Sequence, residues 1–516
     1  MYGKRMVLAL LLCVLCASLC ACTSDGVPFV TSDAPQITLP PASSDAVAPI
    51  GDAALEFTSN ASLYLPRHDG TRLVAVNVPV AFSAARPHAE SLARALLNYA
   101  GNGVASALGG SVRLSLYGVN PVEVSSDVAT VNLAASALQL DRRAFYIACQ
   151  AITNTLTELA DINYVNVLVV DKPVGLDIAN TLPMGAFTRS AGQDMAAVYE
   201  QQLARRVEAS ESAAEKQLAA NVTLYFPLRH TYGVVSEVRT CSFASQALGD
   251  MVTVVLRELA AGPQHSIDSP ALPLLADLLT EKPTLAYSQE SGGQVITLRF
   301  AYTLDDMLEG YGLTRARSMA SICYTLCTFF PNTAGISVSI GDSPVSTLML
   351  TDDFQSSVVF GRDVQRRADF SSLLYNDCTL YFMSADGGKL VSVRRPIPYA
   401  HQRSPRALLL ELTKGPQACD SKIGLTSPMP LGAFTDADIL GLALADHTLL
   451  VNLTPAFAEI GAEMTEQQDR MLAYALVNTL CADEAISGVR FFVAGAAFAG
   501  FSGKIYWPGL FYPMLY

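Results

Sequence analysis

Among the 516 residues, some kinds of chemistry are scarcely represented. There are six His and one Trp, and charged residues make up 16% of the chain. So few imidazoles and indoles leave little material for a metal centre or an aromatic stacking platform. Lys and Arg number 34 against 47 Asp and Glu, a formal net charge of −13, so the clustered cations that grip a nucleic-acid backbone are missing. No Gly-rich loop of phosphate-cradling form occurs, and Asp305-Asp306 and Asp352-Asp353 lack the alternating oxygen ligands of a calcium loop. After residue 22 there are seven Cys, an odd number and with no C-x-x-C pair, which argues against a disulfide framework. Four of them (Cys149, Cys323, Cys327, Cys481) fall in apolar helical patterns and read as small hydrophobes. Beyond the first twenty-two residues no run approaches the 18 apolar residues of a membrane span. No cofactor, metal or catalytic residue is expected.

Apolar residues, at 51%, are abundant enough for several packed cores and rule out disorder along the whole chain. A chain of this length spans about three domains. The opening MYGKRMVLALLLCVLCASLCAC pairs Lys4 and Arg5 with an apolar run from Met6 to Leu19, a secretory signal. It ends Leu19-Cys20-Ala21-Cys22, the pattern of a bacterial lipoprotein cleavage box. The resemblance implies a signal peptide over 1–21 and diacylation of Cys22, leaving the protein on the outer face of the cytoplasmic membrane. Residues 22–54, rich in Ser, Asp and Pro, are expected to form a flexible tether.

The rest repeats itself three times. Leu63-Tyr64-Leu65-Pro66 recurs as Leu224-Tyr225-Phe226-Pro227 and Leu380-Tyr381-Phe382-Met383, each followed by a turn and a second alternating run, a β-hairpin. An amphipathic helix follows and ends at Gly101, Gly262 or Gly415. Next come a strand (Val131-Asn132-Leu133, Ile296-Thr297-Leu298, Val451-Asn452-Leu453), a longer helix opened by Asp141, Thr314 or Thr465, and a closing strand. The expected order is β-β-α-β-α-β, an α+β fold with helices on one face of a sheet. The boundaries read 55–185, 221–365 and 366–516, with a charged helical linker over 186–220.

The phrases L-Y-F-P, E-L-x-x-G-P (Glu258 to Pro263; Glu411 to Pro416) and V-x-L, with T-L before a closing strand, resemble the GerMN domain. That domain is found in tandem in the GerM sporulation and germination lipoproteins. The likeness covers roughly 55–175, 221–345 and 377–495. It is strongest for the second and third copies, because the first lacks the Gly-Pro pair and has Asn77 rather than a basic residue after its second strand. The order of elements also looks like the ring-building domains of the sporulation channel. The resemblance implies a non-enzymatic, membrane-anchored lipoprotein of a Gram-positive host. It would act by protein–protein contact with envelope or sporulation-complex proteins and form an oligomer in that setting. The other class is an envelope lipoprotein that binds a cell-wall fragment.

A repeat also allows a chemical test: a shared active site would place the same polar residues in all three copies. No acid, His or Cys recurs in all three; what recurs is Leu-Tyr, Gly, Leu and Thr-Leu (Thr155, Thr325, Thr479). His68, His230 and Asp386 read as turn residues. Gly341-Asp342-Ser343 lacks a Ser/His/Asp companion set. Cys323 and Cys327, one turn apart, read as core. Two features point to partner binding. One is the basic cluster Arg394-Arg395, with Arg239 at the matching place in the second copy. The other is the aromatic C-terminal tail carrying Trp507, for which packing onto its own domain is the competing expectation.

Overall fold

The computed structural model describes residues 57–514 apart from 83–85, 174–184, 191–193, 201–217, 230, 232, 265–268, 289–292, 351–355, 446, 462–463, 483–485 and 502–504. The signal sequence, Cys22, the tether and most of the 186–220 linker lie outside these residues, as do His230 and Asp352-Asp353. Two compact units form. One comprises Ala46–Cys378 with Arg394–Ser404 and holds the first two repeats; the other comprises Thr379–Val393 and Pro405–Tyr516.

Each repeat is α+β. In the first, the hairpin Phe57–Pro66/Leu73–Phe82 is a sheet of its own, and the helix His88–Asn98 follows. The main sheet runs Val122–Ser125, Val128–Leu133, Tyr164–Val169. Its first pair is antiparallel, and its second is parallel across the helix Arg142–Leu156. The second repeat has the hairpin Leu218–Pro227/Val234–Phe243, the helices Leu248–Ala260 and Arg315–Phe329, and a sheet of Thr284–Ser288, Gly293–Phe300 and Thr333–Ile340. The third has the hairpin strands Tyr375–Met383 and Leu390–Pro398 and the helices Pro405–Thr413 and Glu466–Leu480. Its sheet is Ile439–Ala445, Thr448–Leu453 and Gly488–Val493.

Each repeat thus has one strand more than expected, the antiparallel neighbour that precedes the V-x-L strand. Its sequences hide it: Val122–Ser125 is four residues long, and ILGLALA (Ile439–Ala445) sets Leu against Gly and Ala with no polar residue, so no apolar–polar alternation stands out.

The long helix has fifteen residues in every copy, and its start is set by the expected caps. Asp141 accepts from the Ala144 amide at 2.8 Å and Thr314 from the Arg317 amide at 3.3 Å. Thr465 and Gln468 close a reciprocal capping box. The expected stripes are buried except for Leu159, which lies half-buried beyond the helix end: Phe145, Cys149, Ile152 and Leu156; Ile322, Cys323, Leu326 and Phe330; Leu472, Ala475, Leu476 and Leu480. Each full-sized apolar side chain so buried stabilises by about 1.5–3 kcal/mol. The recurrent glycine ends the first helix in left-handed backbone, at φ +93, +77 and +75 for Gly101, Gly262 and Gly415, a conformation strained for any residue with a Cβ.

Candidate functional site

The recurrent polar residues have a structural explanation. The hydroxyl of Thr155 accepts the backbone N–H of Tyr64 at 2.9 Å, Thr325 that of Tyr225 at 3.0 Å, and Thr479 that of Tyr381 at 3.2 Å. The threonine on the long helix therefore satisfies an edge amide of the hairpin and locks the two-stranded ribbon onto the helix.

One residue earlier, Asn154 grips the chain downstream. Its Nδ2 donates to the Ser190 carbonyl at 2.9 Å, and its Oδ1 accepts the Ser190 amide at 3.0 Å. Asn478 makes the same two bonds to Met514, at 2.7 and 2.9 Å. Asn132 and Asn452, in the V-N-L phrase, accept the amides of Asp171 and Gly495 at 3.1 and 3.0 Å. Those amides belong to tight turns whose residues Val170, Asp171, Ala494 and Gly495 all have positive φ. The second repeat has Thr297 at the Asn position, and Gly341 supplies the turn's positive φ there.

These clamps organise a connector that the sequence did not reveal. After each closing strand the chain returns to pair antiparallel with it. Phe187–Thr188 pairs with Tyr164–Val169, Val364–Gln365 with Thr333–Ile340, and the tail residue Phe511 bridges to Val489. The tail is therefore the third instance of this edge strand, and its aromatic residues form a core. Trp507 is fully buried, donates from Nε1 to Asp469 at 2.7 Å, and is ringed by Phe457, Phe491, Phe498, Phe501 and Phe511. Of the two expectations for the tail, packing onto its own domain is the one the structure shows.

Two connectors deliver an arginine to the repeat's tyrosine. Arg189 lies 4.9 Å over the Tyr64 ring, pairs with Glu158, and donates to the Asn154 carbonyl. Arg367 lies 5.6 Å over Tyr225 and 4.7 Å over Tyr324 and donates to the Tyr324 carbonyl at 3.1 Å. It also pairs with Asp127 of the first repeat. Side-chain exposure is 6% for Arg367 and 1% for Asp127, and the Tyr225 hydroxyl donates to the same carboxylate at 3.1 Å. Burial pushes the Asp127 carboxyl above the usual carboxylate range, with the Arg367 charge and the Tyr225 hydrogen bond pulling the other way. Burial also works against the Arg367 cation, but the surrounding Tyr225 and Asp127 more than offset it and hold its pKa above the usual range.

This cluster sits at a seat on the open face of the first repeat's sheet, opposite its helices. Tyr164 there meets Ser236 of the second repeat at 2.6 Å, and Asn166 donates to the Thr328 carbonyl, at the end of the second long helix, at 3.1 Å. Val128, Tyr164 and Val238 pack together. Tyr399 adds its hydroxyl 2.7 Å from the carbonyl oxygens of Ser126 and Asp161. The second repeat is thus fixed on the first by a ring of hydrogen bonds around one buried ion pair.

The residues expected to bind partners are placed differently. Arg239 is nine-tenths buried; it pairs with Glu237 at 2.9 Å and Glu258 at 3.0 Å and donates to the Gly262 carbonyl at 2.7 Å. It holds the corner formed by E-L-x-x-G-P, which is an internal role. Arg395, at the matching strand position, is buried, whereas Arg394 is exposed. Trp507 is core.

The other candidates also sit apart. His68 bridges the Asn102 carbonyl (2.8 Å) and the Ser106 hydroxyl (3.0 Å) in an exposed turn. Hydrogen bonds from Ser384 and the Gly388 amide hold the Asp386 carboxyl below its usual range. Ser343 lies exposed just after the Gly341 turn. Cys323 and Cys327 are buried core thiols with sulfurs 4.0 Å apart. Asp305 is taken by Arg315. Among the described residues, no three His, Cys, Asp or Glu converge as metal ligands, and no helix is long and apolar enough to cross a membrane.

Residues 62–175 and 379–498 match the family model described as "Germane: Sporulation and spore germination". The match falls on the first and third repeats. The matched segments include the copy whose sequence phrases looked weakest. No curated protein sequence matches the chain. Among solved structures, the chain is similar to the tandem GerMN domains of the sporulation protein GerM from Bacillus subtilis. Identity is 15%, coverage 54% of this chain and 92% of that one, and the TM-score 0.23. The first GerMN domain of the same protein gives 14% identity over 24% of this chain and 88% of that chain, with a TM-score of 0.18. A provisionally assigned lipoprotein of Clostridium perfringens gives 18% identity, 27% and 87% coverage and a TM-score of 0.16.

Proposed function

We propose that this protein is a membrane-anchored, non-enzymatic lipoprotein that serves spore formation or germination by holding envelope proteins together outside the cytoplasmic membrane. The observation that carries the reading is the work done by the recurrent polar side chains. Thr155, Thr325 and Thr479 lock hairpins, Asn154 and Asn478 clamp connectors, and Asn132 and Asn452 fix turns. The shared chemistry of the repeat is spent on rigidity, which suits a scaffold that presents surfaces. The Cys22 anchor and the tether would place that scaffold at the bilayer, within reach of partners in the envelope complex.

Deletion of the gene in its native host, followed by counts of heat-resistant spores with and without germinant, tests this. Loss of such spores, restored by the wild-type gene and not by Cys22→Ala, is the expected result. Normal spore numbers and germination would overturn the sporulation reading. Full rescue by Cys22→Ala would overturn the anchor.

A further inference from the structure

One end of the first repeat carries charge that its fold does not call for. The strands Val128–Leu133 and Tyr164–Val169 both finish there, and the helix Arg142–Leu156 starts there before returning to the other end. The loop 117–121 lies beside them, with the Tyr117 amide on the Asn132 carbonyl at 2.9 Å and the Asn132 amide on the Pro121 carbonyl at 2.8 Å. The turn of the first hairpin joins the same end. The Thr71 carbonyl accepts the Met195 amide at 2.7 Å, and Tyr199 packs on Tyr146, near the start of the helix, with ring centroids 5.6 Å apart.

Exposed cations gather here: Arg67 and Arg72 on the hairpin turn, Arg142 and Arg143 on the helix, Arg113 ahead of the loop and Lys172 after the closing strand. The acids beside them are engaged locally. Asp69 accepts the Thr71 hydroxyl at 2.7 Å and lies 3.4 Å from Arg67, and Asp141 caps the helix. Asp171 accepts Asn132 Nδ2 at 2.7 Å, and Asp194 accepts the Ala196 amide at 2.9 Å. Among the described residues, no ion pair takes Arg113, Arg143 or Lys172. Arg142 and Arg143 occupy the first turn of a helix, where the dipole disfavours a cation, so helix formation gives no reason for them. The other copies are built without this set. The positions of Arg142, Arg143 and Lys172 hold Arg315, Ala316 and Ser343 in the second repeat, where Asp305 pairs with Arg315. They hold Glu466, Gln467 and Ala496 in the third.

The same end also bears apolar groups in water. Val119, at the tip of its loop, is 96% exposed, and Tyr117 and Leu138 are exposed as well. Cations around an apolar tip with a tyrosine suit a bilayer surface, where the cations meet anionic headgroups and the tip enters the headgroup layer. A soluble polyanion would leave Val119 in water. The position in the chain fits: Phe57 lies 35 positions after Cys22, and a coil of that length spans about 30–35 Å. The strand Phe57–Pro66 leads to the hairpin turn over ten residues, about 33 Å, so a chain anchored at Cys22 can set this end on the same membrane.

We propose that this end of the first repeat lies on the membrane surface, its cations on anionic lipid headgroups and Val119 among them, as a second contact beside the lipid at Cys22. Its setting rests on the anchored reading, and the contact itself is tested without the anchor.

The unlipidated chain from residue 23 onward is sedimented with vesicles. It should bind vesicles of mixed phosphatidylglycerol and phosphatidylcholine and ignore phosphatidylcholine alone, and binding should fall as NaCl rises. Arg143→Glu should weaken partition at least about fivefold, the scale of one basic residue near an anionic surface. The melting temperature should hold or rise, because an acid suits the first turn of a helix. Arg394→Glu, an equal change of net charge at an exposed position elsewhere, should leave partition near wild type. Val119→Asp should weaken it without lowering the melting temperature. A wild-type chain that ignores phosphatidylglycerol vesicles at low salt overturns the proposal. So does binding weakened equally by Arg143→Glu and Arg394→Glu, and binding indifferent to Val119→Asp would mark a site for a soluble polyanion instead. The spore counts decide the sporulation reading separately, and either can fail alone.

Discussion

Replacing Arg367 by Met tests whether the first two repeats are held together by a buried charge. Met keeps the length of the side chain and removes the cation. Asp127 would then be left with the Tyr225 hydroxyl, in a site where its side chain is 1% exposed. Breaking a buried ion pair by removing one partner costs about 3–5 kcal/mol, because the remaining charge is uncompensated. That loss is a large share of the about 5–15 kcal/mol that holds a typical domain folded.

The sign of the pH dependence follows from Asp127. Burial raises its carboxyl above the unfolded value, and Arg367 is what pulls it back; without Arg367 it rises further. A carboxyl whose folded pKa is raised binds its proton more tightly in the native state. Its contribution therefore falls as pH climbs from the unfolded pKa toward the folded one, and the penalty is complete above the latter. Arg367→Met should lie nearest to wild type close to pH 4–5, where Asp127 can be neutral, and farthest from it at pH 7.5. Urea unfolding at the two pH values, followed by circular dichroism, measures this. Because the pair joins the repeats, the transition of the variant should also broaden or split. Adding Asp127→Asn should recover part of the loss, since neither charge then stays buried alone. A cost below about 1 kcal/mol at pH 7.5, or one independent of pH, would refute the reasoning.

Other outcomes follow from the clamps. Thr325→Val keeps the shape and strands the buried Tyr225 amide, so urea denaturation should show a loss of about 1–3 kcal/mol; an unchanged midpoint would mean that the hairpin is not locked this way. Asn478→Ala frees both backbone groups of Met514, so limited proteolysis should trim the tail faster. The emission of Trp507, the one tryptophan, should shift to the red. Arg239→Ala removes the partner of Glu237, Glu258 and the Gly262 carbonyl and should lower the melting temperature of the isolated chain, as a residue serving only a partner would not. Burial pushes the thiols of Cys241 and Cys481 up to about 12 and those of Cys149 and Cys323 above their usual range. Iodoacetamide at pH 8 should leave these four unmodified until denaturant is added.

What was legible in the sequence was whatever recurs within one local segment. The caps Asp141, Thr314 and Thr465, the buried stripes and the positive-φ glycines all act over a few residues, and each stands where its spacing placed it. The extra strand was not legible, because ILGLALA has no polar residue to mark an exposed face and Val122–Ser125 is only four residues long. The connector strands were not legible either. Phe187–Thr188, Val364–Gln365 and Phe511 contribute backbone hydrogen bonds, and backbone pairing asks little of side-chain identity. Their clamp could have been noticed, since Asn154-Thr155-Leu156 and Asn478-Thr479-Leu480 share an Asn as well as the Thr-Leu. The arginines of the seat lie at unequal distances from their repeats, so no spacing announced Arg189 and Arg367 as equivalents. Arg239 and Trp507 drew attention as a cation and an aromatic, and packing has enclosed both.

A repeated fold separates two kinds of residue. Those that recur are the ones every copy needs in order to fold, and here they are the hairpin-locking threonines and the helix-ending glycines. Residues that occupy equivalent positions and differ are where the copies part ways. On the open sheet face the first repeat has Tyr164, Asn166 and Leu168, and the third has Gly488, Arg490 and Phe492. At the end of the long helix the second repeat has Thr328 and the first has Glu158. A neutral pairing, Asn166 with the Thr328 carbonyl, joins the first two repeats, whereas Glu158 pairs with Arg189 within the first. The residues common to the copies thus supply the frame, and the positions that differ, such as Thr328 and Glu158, fit each copy to its own neighbours.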